Sequence, residues 1–432
     1  SFDRELQTGT NMEELAKESI SFLTNPTLDT DGQKLGSLGA VFIMLKSSLG
    51  AGLLIFPWAF EKAGGIHSAV IVEMISLVFL VSGLVILGYS CSVSGQNTYQ
   101  AVVRDVCGPA IGNLCEICYV FNLFFISVAF LVIVADQLQK LCVSIYELIT
   151  GLPESEMPYY WYTDQRFALF LLCLFFIFPL SVSKEISIQK YTSVLGTFAA
   201  TYLTVAIIVK YHKRPAMCTG DQMFEHSCAC ADILYLFQCH EACIAVYSSM
   251  ENRKLSHWVF ISVVSMFICL IIYSLTGVFG YLTFGKNVTP DILMSYSGGD
   301  VSMIIARLLF GISIITIYPI IVLLGRYAAN CVLWLLGEYR MRVALTTAWV
   351  TITLLIAVFV PDISKVIGVV GGIGAFFIFI FPGNCACLLL MYFTRLHDVY
   401  LLITWGMITL FCGTYIFGQS TSIAIMQLLS EI

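Results

Sequence analysis

Ser47-Ser48-Leu49-Gly50-Ala51-Gly52-Leu53-Leu54-Ile55-Phe56-Pro57 sets two hydroxyls and two glycines inside an apolar run from Leu38 to Phe60. The run is long enough to cross the ~30 Å hydrocarbon core of a bilayer as a helix. Each glycine costs a helix about 1 kcal/mol relative to alanine, so two of them make a weak point. In hydrocarbon every backbone N–H and C=O needs a partner, and a break survives only where it is buried in protein or lines a cavity. A break here turns the N–H groups of the second half toward the gap, where they attract a carboxylate. The carbonyls closing the first half face cations. The chemistry is recognition of a small charged or zwitterionic solute, with Ser48, Leu49, Gly50, Ala51, Gly52 and Leu53 as its contacts. Close packing of two helices also explains paired glycines, but not the neighbouring hydroxyls or Lys46, which lies within two turns of the break.

Other chemistry-bearing residues are charges inside apolar segments: Lys46, Glu73, Asp136, Asp232, Glu241 and Arg307. Each costs at least ~2.5–3.5 kcal/mol at mid-bilayer when unpaired. Glu73, Asp136 and Arg307 sit toward helix ends, where buried pairs that fix packing are the expectation. Cys228, Cys230, Cys239, His240 and Cys243 lack the spacing of a tetrahedral zinc site, so no metal is expected. Gly371-Gly372-x-Gly374 has no strand–loop–helix context and reads as a helix crossing or hinge. Paired aspartates, a His-Glu-x-x-His motif and a nucleophile elbow are all missing, which argues against an enzyme. A channel filter is not visible either.

The positioning elements follow from composition. Hydrophobic residues make up 58% of 432 and charged residues 12%, with a mean hydropathy of +0.87. Soluble domains carry roughly twice that charge. The fold class is therefore all-α, a multispanning membrane protein. A net charge of −6 makes nucleic acid an unsuitable partner. The sixteen cysteines lie mostly in apolar runs, as small hydrophobes. Residues 1–35 are polar and read as a disordered cytosolic tail, with no cleavable signal. The eleven-helix domain spans 36–420, with helices near 38–62, 66–90, 111–141, 167–182, 192–211, 228–250, 258–284, 301–324, 343–360, 363–392 and 399–420. A short extracellular tail, 421–432, is expected after it. Eleven spans put the termini on opposite sides, and basic residues weakly favour a cytosolic N-terminus. Lys210-x-x-Lys213-Arg214 opposes that bias, while Asn287-Val288-Thr289 supports it as an external glycosylation sequon. A disulfide involving Cys218 and Cys228 is expected in an outer loop.

Ser48-Leu49-Gly50-Ala51-Gly52-Leu53-Leu54-x-Phe56-Pro57 followed by Ala63-Gly64-Gly65 resembles the first-helix signature of the sodium-coupled neutral amino acid transporters, in the amino acid/auxin permease family. Pro179-Leu180-Ser181-x-x-Lys184-Glu185-Ile186, Phe237-Gln238-Cys239-His240-Glu241 and Phe417-Gly418-Gln419-Ser420 extend the likeness from Gly36 to Ser420. The resemblance implies an inverted repeat of five plus five helices (LeuT-like) with one helix added, working by alternating access. It also implies a small neutral amino acid, such as glutamine or alanine, as substrate. It adds Tyr235 and Phe237 to the substrate contacts, and Lys46, Ser47, Ser313 and Thr316 to the cation-coupling set. No organic cofactor is implied; Na+ or H+ is the coupling ion. The plasma membrane is the implied location, with the lysosomal membrane as the alternative.

Two positions depart from the family pattern. Relatives carry Pro-Thr and a small residue where the sixth helix unwinds, but 228–237 here has neither proline nor glycine. An unbroken sixth helix would lack carbonyls for the substrate ammonium, and a transport-deficient amino acid sensor is the alternative function. Relatives also commonly carry asparagine at the position of Lys46. A lysine offers no acceptor and brings its own positive charge.

Overall fold

Fourteen helices account for most of the residues that the computed structural model describes: 36–50, 52–151, 164–182, 189–213, 233, 236–333, 339–360, 362–388 and 396–429. In chain order they are α1 Ser37–Ser48, α2 Gly52–Lys62, α3 Ile66–Ser94, α4 Tyr99–Cys107 and α5 Pro109–Thr150. Next come α6 Gln165–Val182, with a π turn at Cys173–Ile177, then α7 Gln189–Lys213, α8 His240–Ser249 and α9 Leu255–Phe284. A short α10, Ile292–Ser295, precedes α11 Val301–Leu333 and α12 Tyr339–Phe359. Last are α13 Ile363–Leu388, with a π turn at Phe376–Ile380, and α14 Leu396–Leu429. The expected tail 1–35 lies outside the described residues.

Seven helices among the described residues are long and apolar enough to cross a membrane, and Val343–Phe359 is a shorter apolar helix. Large apolar side chains face outward, among them Phe175, Phe359 and Phe411, at 65%, 79% and 74% exposure. In water such a surface would be unstable; against lipid it is the favourable one. The molecule is an all-α multispanning membrane protein.

Local chemistry sets the ends of the elements. Gly64 and Gly65, at φ 86° and 110°, turn the chain from α2 into α3 in a region closed to most side chains. Asp164 caps α6 by accepting from the Arg166 N–H at 2.9 Å. Helix α5 opens with Pro109 and continues well past 141, to Thr150. Similarly, α14 is helical through Leu429, so 421–429 extends a helix instead of forming the expected tail.

At the centre, α9 packs on α1, α2, α3 and α7, while α8 packs on α3 and α1. Helix α11 lies against α5 and α7, and α14 runs along α13 at the periphery. Trp258, Arg307, Tyr247, Tyr273 and Phe56 are among the largest fully buried side chains. Three of the intramembrane charges find hydrogen-bond partners within this packing. Glu73 on α3 accepts from Ser274 on α9 at 2.7 Å. Asp136 on α5 accepts from Gln165 on α6 at 3.1 Å. Arg307 donates to the carbonyls of Leu293 and Tyr296 at 2.9 and 3.0 Å, holding the segment around α10.

Candidate functional site

The first crossing is discontinuous at 49–50. Helix α1 ends at Ser48, Leu49 takes ψ 75°, and α2 begins at Gly52. The Leu49 N–H still reaches back to Leu45 O at 2.7 Å. Two of the N–H groups expected to face a substrate carboxylate are used by the chain itself. Gly50 donates to Ser48 O at 2.9 Å and Leu53 to Gly50 O at 3.2 Å. Ala51 lies outside the described residues.

The sixth segment is discontinuous as well, despite having neither glycine nor proline there. After Leu236 the chain leaves the helical path through Phe237, Gln238 and Cys239, and α8 starts at His240. Cys239 sits at φ −135°, ψ 8°. The expectation of a helix over 228–250 is thus corrected: residues 237–239 interrupt it, and helix resumes for 240–249. Tyr235, Asp232, Cys218 and Cys228 fall outside the described residues.

The two interruptions meet. Tyr273, fully buried on α9, donates its hydroxyl between Ser48 O at 2.7 Å and Leu236 O at 3.0 Å. These are carbonyls at the ends of two broken segments, which a continuous helix would have paired. A Cβ built on Gly52 would lie 3.1 Å from the Leu236 side chain, 3.2 Å from Leu236 O and 3.2 Å from the Tyr273 hydroxyl. A side chain here would fit only if these neighbours gave way by a few tenths of an ångström. Phe237 is fully buried, with its ring edge-on to Phe56 at 5.5 Å and to Tyr273 at 4.7 Å. It wedges the break open from the apolar side.

Of the residues expected to take part in coupling, Ser47 is half-buried on α1, next to the break. Lys46 is on α1 too, with its side chain outside the described residues. The buried Ser48 hydroxyl donates to Met44 O at 3.1 Å. Ser313 is buried on α11, its Oγ 3.1 Å from where a Cβ would stand on Gly196 of α7. Thr316 is bonded within its own helix, to Ile312 O and Ser313 O at 2.9 and 2.7 Å. Ser313 therefore lies in the α7–α11 contact, and α7 is an element that touches both α11 and α1.

Sequence reasoning missed Tyr273, which carries no signal beyond a tyrosine in an apolar helix. It also left Glu241, Gln238 and Asn122 out of the site. Gln238 donates to Glu241 at 3.0 Å, and Asn122 on α5 donates to the same carboxylate oxygen. Beside them, the fully buried His240 contacts Leu80 O on α3 at 3.1 Å. Carboxamides and a carboxylate inside apolar runs were the available signal. Asn287 is exposed in a 3-10 turn, Gly285–Asn287, and the sequon threonine, Thr289, bonds to Asp291 O at 2.5 Å.

Residues 33–426 match the model of the transmembrane amino acid transporter protein family. The Xenopus tropicalis protein provisionally named sodium-coupled neutral amino acid transporter 8 is 55% identical, covering 97% of this chain and 100% of that one. Solute carrier family 38 member 8 of Homo sapiens is 48% identical over 92% and 96% of the two chains. Sodium-coupled neutral amino acid transporter 7 of Danio rerio is 39% identical over 96% and 92%. Among solved structures, a manganese transporter from Eremococcus coleocola superposes with a TM-score of 0.50 at 11% identity, covering 94% and 96%, a likeness of fold alone. Relatives of this kind are solute carriers and not enzymes. With its two facing helix breaks, the chain belongs to the transmembrane amino acid transporter family, in the sodium-coupled neutral amino acid transporter branch.

Proposed function

We propose that this protein is a secondary-active transporter of neutral amino acids of the size of glutamine and alanine, working by alternating access. The observation that carries the reading is the paired interruption: the breaks at 49–50 and 237–239 meet where the Tyr273 hydroxyl bonds both Ser48 O and Leu236 O. Broken helices in corresponding halves of a carrier are where backbone ends hold a zwitterion, N–H ends at its carboxylate and C=O ends at its ammonium. Ser48, Leu49, Gly50, Ala51, Gly52, Leu53, Tyr235 and Phe237 are the substrate contacts in this proposal. The amides of Gly50 and Leu53 first exchange their internal bonds for the substrate. The relatives' printed names speak for sodium coupling. Lys46 in α1 speaks for a departure from it, with Ser47, Ser313 and Thr316 as the remaining cation set.

The sensor alternative draws on the absence of a helix-six Pro-Thr segment at 228–237; the interruption at 237–239 favours the transporter reading. We place the protein in the plasma membrane with the lysosomal membrane as the other outcome of fractionation, the N-terminus in the cytosol and a glycan on Asn287. In vesicles reconstituted with purified protein, radiolabelled glutamine and alanine accumulate above their equilibrium level under an ion gradient. Saturable binding without flux would overturn the transporter reading in favour of the sensor.

A further inference from the structure

The interruption before α8 carries a carboxylate whose partners among the described residues are neutral. Glu241 lies in the first turn of α8 and is half-buried. Its Oε1 accepts from Gln238 Nε2 at 3.0 Å and from Asn122 Nδ2 on α5. Asn122 is fully buried, and among the described residues neither its Oδ1 nor the buried Oε1 of Gln238 has a hydrogen-bond partner. Among the described residues, no ion pair reaches Glu241.

A carboxylate bonded to arginine or lysine is locked in its charged form, and one in a purely apolar shell is locked neutral. A carboxamide does neither, because it presents an N–H donor on one side and a carbonyl acceptor on the other. With Glu241 ionised, both amides turn their donors to it and leave two oxygens unsatisfied. With Glu241 protonated, the carboxyl has an O–H to give, and a half-turn of either amide supplies the acceptor. Each arrangement relieves a deficit of the other, and they differ by one proton. Gln238 is itself part of the break, two residues from the carbonyl that Tyr273 ties to Ser48. The state of Glu241 is thereby mechanically linked to the site.

We propose that Glu241 is the group that takes up and releases a coupling proton, with Asn122 and Gln238 as its positioning residues; this rests on the transporter reading above. The titratable groups facing it are Tyr99 on α4 and Cys115 and Tyr119 on α5. On its own helix are His240, turned to Leu80 O, and Cys243, which has Cys91 of α3 beside it. Helix α1 also packs on α8, and the side chain of its Lys46 is outside the described residues. The titratable groups on the described side chains around Glu241 are thus phenols, thiols and one imidazole.

The test is calorimetric titration of the purified full chain with glutamine and with alanine, in buffers of different ionisation heat, between about pH 5 and 8. The difference between buffers counts protons exchanged per substrate bound. We expect a non-zero count for the wild type, less than a tenth of it for Glu241→Gln, and recovery in Glu241→Asp. Asn122→Leu removes one of the two-faced partners and moves the midpoint of proton exchange at least about threefold in proton concentration. A wild type that exchanges no proton, or Glu241→Gln with wild-type exchange, overturns the proposal. Should Glu241→Gln fail a melting-curve check, an unmoved midpoint in Asn122→Leu overturns it instead. Proton-linked binding without uptake in vesicles would sink the transporter reading alone, and uptake without proton exchange would sink this one alone.

Discussion

At Gly52 the reading of the first crossing becomes a matter of tenths of an ångström. A valine there has methyl groups beyond a Cβ already 3.2 Å from Leu236 O and from the Tyr273 hydroxyl. It must push the two breaks apart, because the Leu236 oxygen belongs to the backbone and cannot rotate away. Gly52→Val therefore reduces uptake to less than about a tenth of wild type, a loss worth ~1.4 kcal/mol or more, while surface expression is retained. Uptake above that level counts against a substrate pocket at the break. Lys46 raises a different question at the same scale. An ammonium and a sodium ion a few ångströms apart repel strongly where the dielectric is low, so we propose that the lysine stands in for the ion or gives up its proton. Uptake then persists when choline replaces sodium, and Lys46→Asn, which restores an amide acceptor, makes it sodium-dependent. The measurement is initial uptake in both media, with and without a pH step, for both forms. Saturable sodium activation of the wild type would count the lysine out.

Among the elements, α5 is the outlier. Its 42 residues rise about 63 Å at 1.5 Å each, twice the hydrocarbon thickness. The excess braces a loop: Ser144 near its end donates to Gly298 O at 2.7 Å. Next to that contact Lys210 of α7 pairs with Asp300, which also caps α11 through the Ser302 N–H at 3.1 Å. Burial pushes the Asp300 carboxyl up, but the Lys210 bond and charge outweigh it and hold it below its usual 3.8. A carboxyl lowered in the folded state stabilises the fold above its unfolded value and loses that contribution as the pH falls through the folded one. Lys210→Met should therefore lower the melting temperature at pH 6 by an amount corresponding to at most about 1 kcal/mol. The gap between mutant and wild type closes below about pH 4; a gap that stays constant down to pH 3 would assign the effect to packing. The length of α5 was not legible in the sequence, because beyond 141 the chain mixes polar and apolar residues as a loop does. The first break was legible because Gly50 and Gly52 weaken a helix by themselves. The second was not, since no residue of 237–239 breaks a helix intrinsically. Tertiary contacts impose it, through the Phe237 wedge and the Tyr273 bond to Leu236 O. Glu241 was visible as a charge but not as a site, because its partner Asn122 comes from more than a hundred positions away.

For the whole molecule the open quantity is orientation, and two independent features of the chain converge on it. Arg253 and Lys254 join α8 to α9, and Arg340 and Arg342 lie at the start of α12. These connections are short, the regime in which basic residues are retained on the cytosolic side. Asn287 sits at the opposite end of α9 from Arg253 and Lys254, exposed in its 3-10 turn. A 30-residue helix spans about 45 Å, so those two ends are on different sides of any bilayer it crosses. If the basic connection is cytosolic, Asn287 faces outward, where a glycan can be attached. Thr289 keeps its side chain tied to Asp291 O and the residue after it is Pro290, which slows attachment without moving the site across the membrane. The expected outcome is a glycosidase-sensitive band that disappears in Asn287→Gln, together with an N-terminal epitope tag stained only after permeabilisation. Staining of that tag on intact cells would invert the orientation and, with it, the side from which the paired breaks at 49–50 and 237–239 are first loaded.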